Sequence, residues 1–311
     1  MHYKITHTTT YLYSETVPVC HNEVHLTPRD GRAQACRHHR LAIKPRPTTL
    51  SKRIDFFGNQ CHYFSILEGH KKLSVQAVSR VDVKPASLPV VEASPAWEFV
   101  RELVQRDLSP ASIEALQHVF PSPSVSIPDS VRDYAAPCFS AGRPILSAVR
   151  ELTGRIYRDF RYDPQATTIS TPVQRVLELR RGVCQDFAHL QIAALRSLGL
   201  PARYVSGYLR TVPEPGRPRL IGADASHAWL SVYTGDGGWV DIDPTNDCFT
   251  GTDHITVAWG RDYTDVCPIK GVFIGGGSGD AHRMTVSVDV LPIADDHPAH
   301  GNGLADHAEG E

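Results

Sequence analysis

Three residues of the kinds that carry out nucleophilic chemistry follow one another along the chain: Cys184, His227 and Asp243. Cys184 lies in the stretch Arg181 to Pro201, RGVCQDFAHLQIAALRSLGLP, where a glycine turn runs into a helical pattern. Ala188, Ile192, Leu195 and Leu198 recur every three or four residues, an amphipathic spacing, and Gly199 with Pro201 stops it. The cysteine therefore falls in the first turn of a helix. Backbone N–H groups without helical partners, together with the helix dipole, point at it there, a setting that favours thiolate over thiol. A cysteine so placed is a candidate nucleophile, and it needs a base.

The segment from His227 to Asp243 offers one. His227 to Tyr233 and Trp239 to Asp243 alternate as strands, with Thr234 to Gly238 as the turn of a hairpin. Side chains alternate along a strand, so His227, Trp229, Ser231 and Tyr233 share one face, and Trp239, Asp241 and Asp243 share another. Pairing about a centre near Gly235 sets His227 opposite Asp243, and cross-strand neighbours stand about 5 Å apart. A one-residue slip would turn the histidine to the wrong face. If the helix start docks on this hairpin, the set is a nucleophile, a base and a group that fixes the base's tautomer. That set suits thiolate attack on a peptide or amide carbonyl, an acyl-enzyme, and transfer to water or an amine. The Cys184 N–H is a candidate oxyanion donor and Gln185 a weaker second one.

Each member also has an ordinary reading. A cysteine before a helix is commonly structural, a strand histidine is commonly core, and Asp243 before Pro244 can simply open an Asx turn. Asp241 is the rival carboxylate. Asp186 and His189 lie near the nucleophile as candidates for polarising the site or binding substrate, although Asp186 in the first turn also complements the dipole. Trp229 and Trp239 are candidate walls of a substrate groove, with core packing equally open. Tyr162, Thr167 and Thr168 are candidates for bracing the turn before the cysteine, whereas Arg203 and Tyr208 read as structural. A metal site from Cys184, Asp186, His189 and His227 is disfavoured, because positions five apart diverge around a helix. No metal or cofactor is therefore expected. Thiol redox chemistry lacks a nearby resolving cysteine. A binding module carrying a remnant of the three residues remains the non-enzymatic alternative.

The elements that must position these residues come from a chain of 311 residues, 41% apolar and 21% charged, enough for a substantial core. A formal net charge of -2 with no basic excess argues against nucleic acid, and no apolar run is long enough to span a membrane. Seven scattered cysteines without a C-x-x-C pair, and a start without an apolar signal core, lead to the expectation of free thiols in a cytoplasmic setting. Residues 1–90 read as short alternating strands, an antiparallel β-sandwich-like domain whose many histidines look structural or surface-borne. Residues 91–144 read as a linker with short helices. Residues 145–293 carry helices at Ile145 to Phe160 and after Thr171-Pro172, the Cys184 helix, strands from Ala202 onwards and a closing strand over Met284 to Val290. The Pro/Gly-rich stretch from Pro213 to Gly222 reads as a loop, and residues 294–311 as a frayed tail.

Residues 145 to 250 resemble the transglutaminase-like superfamily, the papain-like group found in bacterial and archaeal proteins. The matching pieces are Gly182-Val-Cys184-Gln-Asp-Phe-Ala188, Arg196 to Tyr208, His227-Ala-Trp229 and Gly238-Trp-Val-Asp-Ile-Asp-Pro-Thr245. His7 to Tyr13, Leu26 to Gln34 and Asp55-Phe-Phe-Gly-Asn59 are similar to the β domain that precedes this core in bacterial members. The resemblance implies an α+β fold, a papain-like core behind an N-terminal β domain, with Cys184 as nucleophile, His227 as base and Asp243 as acid. The family includes protein crosslinkers, peptidases, amidases and members without the nucleophile. The layout here lacks the calcium-binding segments and extra domains of animal crosslinking enzymes, which favours hydrolysis over crosslinking.

Overall fold

The computed structural model describes residues 1–85, 90–211, 225–235, 238–276 and 283–294. The loop expected over Pro213 to Gly222 and all but the first residue of the expected tail lie outside these. Six strands open the chain: β1 (His2–Val17), β2 (Val19–Val24), β3 (Gln34–Lys44), β4 (Thr49–Ile54), β5 (Gln60–Ile66) and β6 (His70–Val83). Period-two burial runs along β1, where Tyr3, Ile5, His7 and Thr9 point inward and Lys4, Thr6 and Thr8 do not. The same alternation sets the inner face of β6.

Helices follow: α1 (Trp97–Arg106), α2 (Pro110–Leu116), α3 (Asp129–Ala135) and α4 (Ile145–Asp159). Then come the short strand β7 (Arg161–Tyr162), α5 (Val173–Leu179), the short strand β8 (Arg181–Gly182) and α6 (Cys184–Ser197). The remaining elements are β9 (Ala202–Leu209), β10 (Ala225–Tyr233), β11 (Trp239–Asp243), β12 (Cys248–Phe249), β13 (His254–Gly260), α7 (Tyr263–Val266), β14 (Ile269–Ile274) and β15 (Arg283–Ile293). No helix among the described residues is long and apolar enough to cross a membrane.

The second half of the chain forms a five-stranded antiparallel sheet, β12-β11-β10-β9-β13, with α6 laid across β9 and β10. Helices α3, α4 and α5 cover the other side of α6. Every α6 residue from Asp186 to Ser197 is consequently buried. The expected amphipathic helix is thus enclosed on all sides, because a second helical layer covers the face that would otherwise meet water. Its polar members find partners inside: Gln191 donates to Thr153 Oγ1 (2.7 Å), and Arg196 donates to the carbonyls of Ala202 (2.9 Å) and Arg261 (2.6 Å).

The N-terminal strands make two four-stranded antiparallel sheets, β15-β1-β6-β3 and β14-β2-β5-β4. Each is completed by a strand from the far end of the chain. β15 pairs with β1 from His2↔Ile293 to Leu12↔Arg283, and β14 pairs with β2. β14 and β15, which the sequence reading groups with the second domain, therefore hydrogen-bond into the sheets of the first. Phe64, Ile66, Leu73 and Val75 fill the space between those sheets. At the other end of the same faces Tyr3, Ile5, Val81, Val288 and Val290 join the core that surrounds α6.

Candidate active site

The turn that delivers Cys184 is built from its neighbours. β7 and β8 pair in parallel, Tyr162 alongside Gly182. Asp186 bends back over this turn, its Oδ2 accepting the Val183 N–H (2.8 Å) and the Thr167 hydroxyl (2.6 Å). One of the free donors of the helix start is satisfied in this way. Position 182 must then be glycine, since a Cβ there would lie 2.5 Å from Asp186 Oδ2. Burial raises the Asp186 pKa, and its two hydrogen bonds only partly oppose that. Asp186 and Thr167 thus hold the helix start. Thr168 bonds instead within its own turn, its N–H donating to Thr171 Oγ1 (2.8 Å).

His227 stands near the start of β10, beside Gly207 of β9. Its Nε2 bonds Asp243 Oδ2 at 2.7 Å. The hairpin pairs Tyr233 with Trp239 and Leu230 with Ile242, so its centre falls one residue later than expected. Continued one step, this register sets Trp229, not His227, across from Asp243. His227 reaches the carboxylate on the diagonal. The shift moves the partner by two positions and so preserves the face, which is why the pair still meets.

Asp243 is completely buried and fully used. Oδ1 accepts the backbone N–H groups of Thr245 (2.8 Å) and Asn246 (3.3 Å), which makes the turn after Pro244. Oδ2 accepts from His227, from Asn246 Nδ2 (2.7 Å) and from His254 Nε2 (3.1 Å). Oδ1 thus makes the Asx turn, while Oδ2 meets the His227 ring. His254 Nδ1 accepts the Gly251 N–H (3.3 Å), so a neutral His254 carries its proton on Nε2 and donates it to the carboxylate. Asn246 and His254 are absent from the sequence reading. Asn246, three residues past Asp243, follows a recognisable Asp-Pro turn. His254 has no local signal, because β13 meets β11 only through the fold.

The electrostatics follow from these contacts. Burial alone lowers the His227 pKa, but hydrogen bonds and charge from Asp243 and Cys184 outweigh it and raise it to about 10. Burial raises the Asp243 carboxyl, yet His227, His254 and Asn246 together hold it well below the usual carboxylate range. With Nε2 committed to Asp243, Nδ1 is the ring nitrogen left for the sulfur. Cys184 and His227 both line a cavity of about 440 Å³, together with Gln185, Tyr204 and Tyr263.

The other candidates separate clearly. Gln185 lines the cavity, but its amide nitrogen donates to the Ile169 carbonyl (3.1 Å). His189 is buried, accepts the Tyr263 N–H (3.2 Å), and packs on Tyr204 at 4.9 Å between ring centroids. Burial lowers its pKa to about 4, against the charge of Asp262. It is a neutral core histidine, away from the cavity lining. Trp229 is fully buried, donating to Asp241 Oδ2 (3.1 Å) and standing edge-on to His254. Asp241 also takes the Ser231 hydroxyl, so the rival carboxylate is occupied away from His227. Trp239 packs on His118, Tyr233 and the Arg203 guanidinium, and lines a different cavity. Neither tryptophan walls the space beside Cys184.

The metal set of Cys184, Asp186, His189 and His227 is not gathered, since Asp186 and His189 bond elsewhere. Two other groups of described residues bring ligand-type atoms within 4.8 Å: His227 with Asp243 and His254, and Glu23 with His25 and Cys61. In the first, Asp243 Oδ2 is already shared by two imidazoles. In the second, Glu23 is ion-paired to Arg53 and Lys270.

Residues 3–82 match the bacterial transglutaminase-like N-terminal region, and residues 132–244 match the transglutaminase-like superfamily. The uncharacterized Mycobacterium tuberculosis protein Rv2569c is 43% identical over 301 residues, covering 94% of each chain. The uncharacterized Mycobacterium leprae protein ML0607 is 33% identical over 295 residues, covering 94% of this chain and 99% of its own. Among solved structures, a Cytophaga hutchinsonii protein named provisionally as a cysteine protease superposes with a TM-score of 0.72. It is 22% identical, with 95% of this chain and 92% of that chain covered, a likeness of fold.

Proposed function

The chain belongs to the transglutaminase-like superfamily with its bacterial N-terminal domain, and on that premise we propose that it cleaves or transfers at a peptide or amide carbonyl through Cys184, His227 and Asp243. The observation that carries this reading is the buried His227–Asp243 bond of 2.7 Å beside a cavity that also receives a helix-start cysteine.

The Cys184 sulfur attacks the carbonyl carbon, and a tetrahedral oxyanion forms at the helix N-terminus, where first-turn N–H groups lack helical acceptors. The protonated His227 gives its Nδ1 proton to the leaving amine, and the C–N bond breaks to leave a thioester on Cys184. His227, now neutral, takes a proton from the acceptor that attacks the thioester, and the C–S bond breaks to release the acyl product and return the Cys184 thiolate beside the protonated imidazole. Asp243 keeps Nε2 protonated and the ring aligned throughout. Water is the preferred acceptor and an amine the alternative, which turnover with and without added amine distinguishes.

Cys184→Ala and His227→Ala are each expected to lower turnover of a susceptible amide by about 10³-fold or more, while the thermal transition persists. Asp243→Asn should impair turnover while leaving substrate binding largely in place. Activity that survives a metal chelator and disappears on thiol alkylation separates thiol chemistry from metal chemistry. Undiminished turnover in all three variants would remove the assignment, and failure of Cys184 to label with an electrophilic amide analogue would favour a binding module.

A further inference from the structure

One wall of the cavity beside Cys184 belongs to neither α6 nor the five-stranded sheet. It is made by three cross-strand pairs of the N-terminal sheet, His7↔Val288, Thr9↔Val286 and Tyr11↔Met284, all on one face of the β1–β15 ladder. Further along that face Tyr3, Ile5 and Val290 are buried against the core around α6. The face is therefore continuous: it is packed at one end and opens into the site at the other, where Val286 is 48% and Met284 56% exposed. Apolar side chains left half-exposed on the wall of a site offer area that a bound group can cover.

The chemistry of the lining is one-sided. Among the described residues that line the cavity there is no Asp, Glu, Lys or Arg. His7, whose ring bonds Thr9 Oγ1 (2.9 Å) and the Tyr208 hydroxyl (3.1 Å), is kept neutral by burial, which lowers its pKa to about 4. Apart from His227, which is committed to Asp243 and Cys184, the lining offers no charge, so a charged substrate group against the β1–β15 wall would lose water without gaining a counter-charge. The part of the substrate that stays bonded to Cys184 through both steps is the acyl part, and it is the part that this wall can hold throughout.

We propose that the β1–β15 face is the specificity wall of the site, and that it selects an uncharged, apolar residue on the acyl side of the scissile bond. The proposal rests on the thiol reading above. It also gives the N-terminal domain a direct part in substrate choice, through strands from both ends of the chain.

Peptidyl chloromethyl ketones that differ only in the residue bearing the ketone (leucine, lysine or glutamate) test this without requiring amide turnover. The Cys184 sulfur displaces chloride, and intact mass with peptide mapping reads the rate. The expected result is modification of Cys184 by the leucine reagent at least about tenfold faster than by either charged one. In Val286→Asp the ratio of lysine to leucine rates should rise about tenfold or more, with a thermal melt confirming the fold. If that variant does not fold, the wild-type series alone decides. Equal rates, or a preference for a charged residue, would overturn the specificity wall while leaving the nucleophile in place. Failure of every reagent to modify Cys184 would overturn both this proposal and the thiol reading.

Discussion

His227 shows how a single side chain's setting fixes the behaviour of a site. Its ring is nearly sealed from water, which by itself favours the neutral form, yet the Asp243 carboxylate on Nε2 and the hydrogen bonding and charge of Cys184 reverse that preference. The linkage to folding has a definite sign. His227 is raised from 6.5 to about 10, so its contribution to stability is complete below pH 6.5 and is lost as pH rises towards 10. Asp243 is depressed from 3.8, so its contribution is present above pH 3.8 and is lost as pH falls through its folded value. Thermal melts of the parent and His227→Gln should therefore differ most between pH 4 and 6.5 and converge near pH 10. A gap that widens with pH would contradict the pairing. At this scale the residue types were legible. Cysteine at a helix start, and histidine and aspartate on facing strands, are local patterns, and the two-residue error in register preserved parity. His254 was not legible, because the contact that gives it a role joins strands that only the folded sheet brings together.

At the scale of elements, α6 works because its first turn is locked before the chain reaches the helix. Asp186 supplies an acceptor to Val183 and Thr167, and Gly182 makes room for it. Asp186→Ala removes a buried cap and strands two donors, at an expected cost of about 2 kcal/mol, with Asp186→Asn losing less. Chemical denaturation measures this directly, and an alanine variant as stable as the parent would refute the bracing role. The sequence pattern located α6 and its ends well, because Gly199 and Pro201 are unambiguous stop signals. Gln191 and Arg196 break the apolar stripe, and both are buried donors with internal partners; spacing within the helix does not name those partners, because they lie on other elements. Trp229 was ambiguous for the same reason. A large aromatic on an alternating strand faces either a cleft or a core, and only Asp241 and His254 beside it settle the matter.

At the scale of the whole molecule, the two sequence regions are interwoven. β14 and β15 close both N-terminal sheets, so a chain ending near residue 90 lacks one strand of each. Unpaired edges and an uncovered apolar face follow from that loss. A fragment of residues 1–90 is expected to show no cooperative thermal transition, whereas the full chain does; a sharp transition in the fragment would contradict the interweaving. Alternation made the strand over Met284 to Val290 readable, whereas β14, exposed along nearly all its length, carries no such pattern and has no counterpart in the sequence reading. The partner of β15 was not readable, since nothing in a strand's own sequence says which distant edge it joins.

The central claim is that Cys184 carries the acyl group during turnover, and capture of that intermediate tests it most directly. Rapid acid quench of the enzyme with an activated acyl substrate, followed by peptide mapping, should place the acyl mass on the peptide that contains Cys184. The adduct should be absent from Cys184→Ala and should form far more slowly in His227→Ala. Acylation at another residue, or turnover by Cys184→Ala at the parent rate, would contradict the account.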